Sequence, residues 1–238
     1  MILDKVFYLD PDNLNMGIFK LDKFESHHAN NVFRLRPTQK IFLINGLGTA
    51  YIAEISNIKG GIVHGSIDET LVEYGENAFN LNVAISITKR DSFERSLKCM
   101  TELGVMNIYP IATSNSIRKT VNKERCKEIL KSSSKQCIRS RIPRFHEPRS
   151  ILSWLAIKSK EQNYAGILGS KSYLSEFYFD MNKEINIIIG PEGDFDKNEI
   201  NELKKSGTNF FTLGKRRLRS DTAVNTSLSI FNELASKL

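Results

Sequence analysis

Apolar and polar positions change rhythm about a third of the way along this 238-residue chain. Before that point, short apolar stretches are separated by turn residues. Val6-Phe7-Tyr8 makes a brief apolar start, and Ser26 is placed to N-cap a short helix running through Phe33. Ile41-Phe42-Leu43-Ile44 meets Asn45-Gly46, a strong hairpin signal, and the alternating Tyr51-Ile52-Ala53-Glu54-Ile55 follows. Gly60-Gly61 turns the chain again, into residues 62–67. Short strands closed by glycine turns predict a small β-barrel. The pattern lapses over residues 69–80, which sets a boundary between a domain over residues 1–75 and a second over 76–238.

From Leu81 the rhythm becomes strand, then helix, repeated. Strands are predicted at residues 81–87, 107–111, 164–168, 185–189 and 209–213. Asp91 or Ser92 is placed to cap a helix with Phe93, Leu97, Met100 and Leu103 on its apolar side and Gly104 as its stop. Further helices are predicted at about 123–138, at 150–158, at 197–205 behind an Asp196 cap, and from about Ser220 onward. Alternating elements of this kind predict an α/β domain with a parallel sheet covered on both faces.

Composition narrows the class. An apolar fraction of 40% with 26% charged residues is ordinary for a chain that buries a core, which excludes disordered and collagenous proteins. No stretch approaches the roughly 18 uninterrupted apolar residues of a membrane span, and the densest run, at 185–189, is already broken by Asn186. The opening residues lack a cationic segment followed by an apolar one, and Cys99, Cys126 and Cys137 form no CxxC pair. A cytoplasmic protein without metal or disulfide framework is expected.

The charge is unevenly placed. Residues 118–149 carry eleven Lys or Arg against Glu124, Glu128 and Glu147, which is +8 of the chain's net +7. The first eighty residues carry seven bases and ten acids, or −3. A basic stretch on a near-neutral body is the footprint of a polyanion, or else a solvated helix face.

Two loops are placed for chemistry. Gly190-Pro191-Glu192-Gly193-Asp194-Phe195 follows one apolar strand, and Leu213-Gly214-Lys215-Arg216-Arg217-Leu218-Arg219-Ser220 follows another. Ligands of open α/β sheets bind at the carboxyl ends of strands, and glycines let backbone approach them closely. Neither loop is a phosphate loop, since no Gly-Lys-Ser/Thr follows and GxGxxG is absent. Four cations just ahead of a helix start, where Ser220 or Asp221 is placed to cap, favour an anionic partner. His27-His28 has no acidic or cysteine neighbours of metal-site spacing, so an RNA contact or a surface role is expected there.

Six motifs occur in an order that resembles one family. They are His28-Ala29-Asn30-Asn31-Val32-Phe33-Arg34-Leu35-Arg36, Lys89-Arg90-Asp91, Thr101-Glu102-Leu103-Gly104-Val105, Gln136-Cys137-Ile138-Arg139, Ile189-Gly190-Pro191-Glu192-Gly193 and Leu213 through Ala223. The family is RsmE, the 16S ribosomal RNA uracil-N3 methyltransferases of the SPOUT superfamily, and the likeness covers nearly the whole chain. It implies an N-terminal PUA-like RNA-binding barrel and a methyltransferase domain with a deep trefoil knot, working as a homodimer on the small ribosomal subunit. It also implies S-adenosylmethionine held by Leu168, Gly169, Ile188, Ile189, Gly190, Pro191, Glu192, Gly193, Leu213, Gly214, Leu218, Ser220 and Thr222. The product that the resemblance implies is N3-methyluridine.

Uracil N3 is protonated at neutral pH, so the proton must leave and the resulting anion must be stabilised. Arg216 and Arg219 are the candidate cations, with Glu192 to orient cofactor or act as base. RNA contacts are expected from His28, Arg34, Arg36, Lys89, Arg90, Lys127, Lys131, Arg139, Arg141 and Arg144. The alternatives are a non-catalytic ribosomal RNA-binding or assembly factor, or a SPOUT methyltransferase for another RNA base. The chain departs from the family pattern in several places. Asp194 and Ile138 stand where glycine is usual, Cys137 where serine is, Asp221 where glutamate is and Cys99 where lysine is, and the Arg-rich opening is missing.

Overall fold

The computed structural model describes residues 4–116, 118–158 and 160–237, which separate into two compact units. The first comprises the chain up to Glu76 together with Lys131–Ile142, and the second Asn77–Leu130 with Pro143–Leu238.

The first unit is one six-stranded sheet. Its strands are β1 (Val6–Tyr8), β2 (Leu14–Asn15), β3 (Ile18–Lys20), β4 (Lys40–Ile44), β5 (Thr49–Lys59) and β6 (Ile62–Val72), ordered β1-β4-β5-β6-β3-β2. Both glycine signals make the hairpins expected of them. Asn45 Oδ1 accepts from the backbone N–H groups of Leu47 and Thr49, fixing the β4–β5 turn. Gly60 and Gly61, both left-handed at φ 58° and 79°, join β5 to β6, as a two-residue turn with two positive φ values requires. Register shifts in β5 after Ile52 and Ile55 bend the strand. Phe7 from β1 and Phe19 from β3 then meet in one core, so the sheet curls into a barrel. Helix α1 (Lys23–His27) is capped by Asp22, and a π-helical turn, His28–Val32, continues it. Ser26 lies inside α1 instead of capping it: its buried hydroxyl donates to the Leu21 carbonyl and accepts from Val63 N–H.

The second unit is a parallel sheet. It contains β7 (Leu81–Ser86), β8 (Asn107–Ala112), β9 (Arg144–Phe145), β10 (Arg149–Ser150), β11 (Gln162–Gly166), β12 (Ser172–Tyr173), β13 (Ile185–Ile189) and β14 (Asn209–Thr212). The order is β10-β8-β7-β13-β11-β14-β12, with β9 on β8, so β13 inserts between strands that precede it in the chain. Helices are α2 (Arg90–Glu102), α3 (Lys123–Cys137, shared with the first unit), α4 (Ile151–Lys158), α5 (Lys197–Lys205) and α6 (Ser220–Ala235). Trp154 and Leu155 of α4 and Leu203 of α5 pack on Ala84, Ala165 and Ile188. Helices α2 and α6 pair with one another, and α6 reaches β13. The Asp196 cap of α5 forms with a reciprocal bond from Glu199. The α2 and α6 caps differ from expectation, because Lys89 and Arg219 hold those positions. Behind the α6 cap, the short polar residues have other partners: Asp221 binds Arg95 at 2.8 Å and Ser220 donates to Gly190 O at 3.0 Å.

Strands buried on both faces carry a row of asparagines. Asn107, Asn82, Asn186 and Asn163 are cross-strand partners on β8, β7, β13 and β11. Their amides donate in one direction: Asn107 to Asn82 (2.8 Å), Asn82 to Asn186 (3.2 Å), Asn186 to Asn163 (3.0 Å) and Asn163 to the Lys158 carbonyl (2.8 Å). At the head of the row, His146 Nε2 lies 2.9 Å from Asn107 Oδ1 and the ring stacks on Tyr109. Burial, then the cations of Arg144, Lys158 and Arg149, push the His146 pKa down to about 4. The imidazole is therefore neutral at pH 7 and donates from Nε2.

Two outcomes follow. Asn186→Ala leaves the Asn163 acceptor and an Asn82 donor without their partner, and at ~1–3 kcal/mol per buried group left unpaired it should lose ~2–4 kcal/mol of unfolding free energy in urea. A loss below about 0.5 kcal/mol, typical of a surface change, would show that the row is not cooperative. His146 has a folded pKa below its unfolded value of about 6.5, so its contribution is complete above that pH and declines as pH falls toward 4. Urea midpoints should drop between pH 7 and pH 5, and His146→Gln should flatten that drop.

Candidate functional site

Strands β11, β13 and β14 are parallel neighbours, and Gly166 is the register partner of both Ile189 and Phe211. Their chains therefore leave the sheet at one edge. The three following loops enclose a cleft with about 600 Å³ of open space. Its walls come from Gly166 to Leu168, from Ile189 to Glu192 with Asp194, and from Thr212 to Gly214 with Arg216, Arg217 and Leu218, closed by Ser220 and Ala223 of α6.

Local bonds hold these loops. The Ser220 hydroxyl ties α6 to the Gly190 carbonyl, Thr212 Oγ1 bonds both the N–H and the carbonyl of Gly214, and Ser170 donates to Phe210 O. Asp194 N–H closes a turn on Pro191 O, with Asp194 left-handed at φ 62°. Asn115 donates to the carbonyls of Gly193 and Asp194. Across α2 and α6, burial would raise the Asp221 pKa, but the Arg95 guanidinium and the Thr222 N–H hold it below the ordinary aspartate value. Asp221 is thus an anionic tie between two helices.

Of the residues expected around a cofactor, Leu168, Ile189, Gly190, Pro191, Glu192, Leu213, Gly214, Leu218 and Ser220 line this cleft together. Four lie off its lining. Ile188 points into the core under α4 and α5, Gly193 faces Asn115, Gly169 adjoins Leu168, and Thr222 sits in the first turn of α6. Arg216 and Glu192 are on the lining; Arg219 is exposed at the α6 N-cap, while its neighbour Arg217 takes a lining position. Gly166 and Thr212 lacked a motif of their own, and only the strand register brings them here.

The basic stretch is largely neutralised within the chain. Seven of the eleven bases in 118–149 have acidic partners: Lys123 with Glu147, Arg125 with Glu94, Lys127 with Glu124, Lys131 and Lys135 with Glu25, Arg139 with Glu76, and Arg141 with Glu73. Exposed pairs such as Lys127–Glu124 exchange readily with phosphate. Arg139 does not: it is 2% exposed, and its Nη2 lies 2.6 Å from an equally buried Glu76 carboxylate. It holds the first unit together and is withdrawn from the expected RNA contacts. His28 is half-buried with its ring edge-on to Phe7 and Phe33, also a packing position. Lys131 lies over the Tyr8 ring. Arg90 bonds Glu94, whereas Arg34, Arg36, Lys89 and Arg144 are exposed with no ion pair among the described residues. Burial pushes the Cys99 and Cys126 thiols up to about 11, so neither is a ready nucleophile. No cluster of metal-ligating side chains occurs among the described residues.

With this geometry in view, the sequence model of the RNA methyltransferase domain matches residues 75–232, two-thirds of the chain. The chain belongs to the RNA methyltransferase family. A model for the RNA methyltransferase PUA domain matches residues 21–68, within the curled sheet. The ribosomal RNA small subunit methyltransferase E of Rickettsia conorii is 28% identical over 220 residues, 88% of this chain and 87% of that one. The enzyme of the same name from Synechocystis is 26% identical over 235 residues, 94% and 76% of the two chains. Among solved structures, ribosomal RNA small subunit methyltransferase E from Neisseria gonorrhoeae, bound to S-adenosylmethionine, superposes with a TM-score of 0.88 at 26% identity over 97% of each chain. The resemblance to RsmE and the SPOUT-type α/β fold with a PUA-like domain are borne out.

Proposed function

We propose that this chain transfers the methyl group of S-adenosylmethionine to N3 of a specific uridine in 16S ribosomal RNA on the small subunit, acting as a cytoplasmic homodimer. The observation that carries this reading is the cleft at the ends of β11, β13 and β14, built from the loops whose motifs resemble the family's cofactor loops. The relatives' names and the cofactor in the Neisseria structure point the same way.

The cleft fits that cofactor chemically. Leu168, Ile189, Leu218 and Ala223 give apolar walls, and the loop backbone supplies donors and acceptors. Gly214 lies on the lining at φ 114°, a conformation that strains any side chain, and a Cβ there meets no atom within 4 Å, so a substitution acts on this loop and the cleft and not on the core. Gly190 is a poorer probe, because its Cβ would lie 2.9 Å from the buried Phe195 ring and disturb the core as well. S-adenosylmethionine supplies an electrophilic methyl group on a sulfonium. The work left to the protein is to align an unpaired uracil and to stabilise its anion once N3 loses a proton. Arg216, exposed on the lining, is the cation placed to do so; Arg219 supports it from the α6 N-cap, and Glu192 orients cofactor or accepts the proton.

Gly214→Val should weaken S-adenosylmethionine binding at least 10-fold in a calorimetric titration, with the circular-dichroism spectrum unchanged. An unaltered affinity would remove this loop from the cofactor site. Arg216→Ala should slow single-turnover methylation by ~10²-fold at saturating cofactor and RNA, the usual loss for one preorganised donor, with partial recovery at higher pH. Arg217→Ala should cost far less despite lining the cleft. Binding of both ligands without any methyl transfer would instead favour a non-catalytic ribosomal RNA-binding factor.

A further inference from the structure

A second cleft, with about 960 Å³ of open space, lies in the same unit where β7 gives way to α2. Its floor is apolar: Ile87, Phe93 and Cys126 are almost fully buried. Its rim carries three guanidiniums, from Arg90, Arg118 and Arg125, and a single carboxylate, Glu94. Glu94 accepts from Arg90 Nε at 2.9 Å and from Arg125 Nη2 at 3.2 Å, and these two bonds hold its pKa below the ordinary glutamate range. It is ionised and restrains two of the three arginines, leaving the rim at +2. Arg118 is exposed and has no carboxylate partner among the described residues. The start of α2 adds to the positive rim, since Lys89 at its N-cap makes no side-chain capping bond.

The position of this cleft gives it a meaning. Strand β7 is hydrogen-bonded to β13, with Ile85 opposite Ile189. The residue after Ile189 opens the first cleft, and the residues after Ser86 open the second. The two clefts therefore stand at the ends of adjacent strands, along the same carboxyl edge of one sheet. An RNA strand that presents a base at the first must place its neighbouring backbone close by.

We propose that the second cleft is a nucleotide subsite for the RNA substrate, in which Arg118 and Arg125 take a phosphodiester and the apolar floor lies against the attached nucleoside. Planar guanidiniums suit phosphate oxygens because they donate two parallel bonds. Glu94 then acts as a positioning residue, holding Arg90 and Arg125 in place before RNA arrives. This inference rests on the proposed RNA methyl transfer and adds where the strand lies.

The test is a double variant, Arg118→Ala with Arg125→Ala, assayed with small ribosomal subunits and S-adenosylmethionine. RNA affinity and KM should worsen at least 10-fold while kcat and cofactor affinity stay within about twofold. The slope of log affinity against log salt should fall by ~0.7–0.9, the change for the one phosphate contact removed. Arg118→Lys should recover part of the loss. Lys204→Ala with Lys205→Ala, which removes equal charge from α5, should leave both readouts near the unaltered chain. An unchanged salt slope in the arginine double variant, or an equal fall in the lysine control, overturns the subsite. If the unaltered chain methylates RNA in those same assays, only this proposal fails; if it takes up neither cofactor nor RNA, the proposed function fails with it.

Discussion

The row of asparagines across β8, β7, β13 and β11 is the constraint on which the second unit depends. Strands buried on both faces gain most of their stability from apolar burial, and burial does not distinguish one isoleucine of β13 from the next. A slip of two residues keeps every side chain on its proper face. It does not keep four amides in line. At about 3.3 Å of rise per residue, the same slip would move the loop after a strand by ~7 Å along the sheet. The cleft needs three such loops to end together, so the polar row at the base of the strands sets the alignment at their tips. The direction of donation is uniform from His146 to the Lys158 carbonyl, which lets each bond polarise the next.

That alignment divides the cations by where they lie. Those of the α3 region face acids within their own unit, and the most buried of them, Arg139 and Lys135, are bound to Glu76 and Glu25. The loop at Lys215, Arg216, Arg217 and Arg219 has no ion pair among the described residues, although it carries as dense a charge. A cation without a local acid keeps its field for a ligand, so net charge along a segment is a weaker guide to function than the partners of each side chain.

Much of the architecture was legible because each signal was local. Asn45-Gly46 and Gly60-Gly61 specify their turns by backbone conformation, Asp196 caps the helix it precedes, and the run at 185–189 is a strand with the bounds expected of it. What escaped depends on distant partners. Ser26, Ser220 and Asp221 have the chemistry of caps, yet Val63, Gly190 and Arg95 engage them, and only the fold brings those groups near. Asn186 reads in sequence as an interruption of an apolar run; its neighbours Asn82 and Asn163 are 104 and 23 residues away. The eleven bases of residues 118–149 announced a polyanion, and the acids that neutralise most of them come largely from outside that stretch.

Asp194 at φ 62° and Ile138 at φ 61°, where the resemblance to RsmE leads to the expectation of glycine, are both left-handed. Left-handed backbone favours glycine, and it also separates these two residues. Aspartate tolerates the conformation at small cost, and Asp194 Oδ1 accepts from the Phe195 N–H at 2.8 Å. A β-branched residue has no such bond, and left-handed backbone costs it roughly 1–2 kcal/mol. Ile138 offsets that by packing on Phe42, Ile44 and Ala50 of the first unit, where burying such a side chain contributes about 1.5–3 kcal/mol when complete. Ile138 is only partly buried, so gain and cost nearly balance. The conformation itself is imposed from either side. The Ile138 carbonyl lies 2.7 Å from where a Gly75 Cβ would stand, and the next residue, Arg139, is anchored by Glu76. The ion pair that removes Arg139 from the surface therefore also holds its neighbour in a conformation that isoleucine alone would not choose.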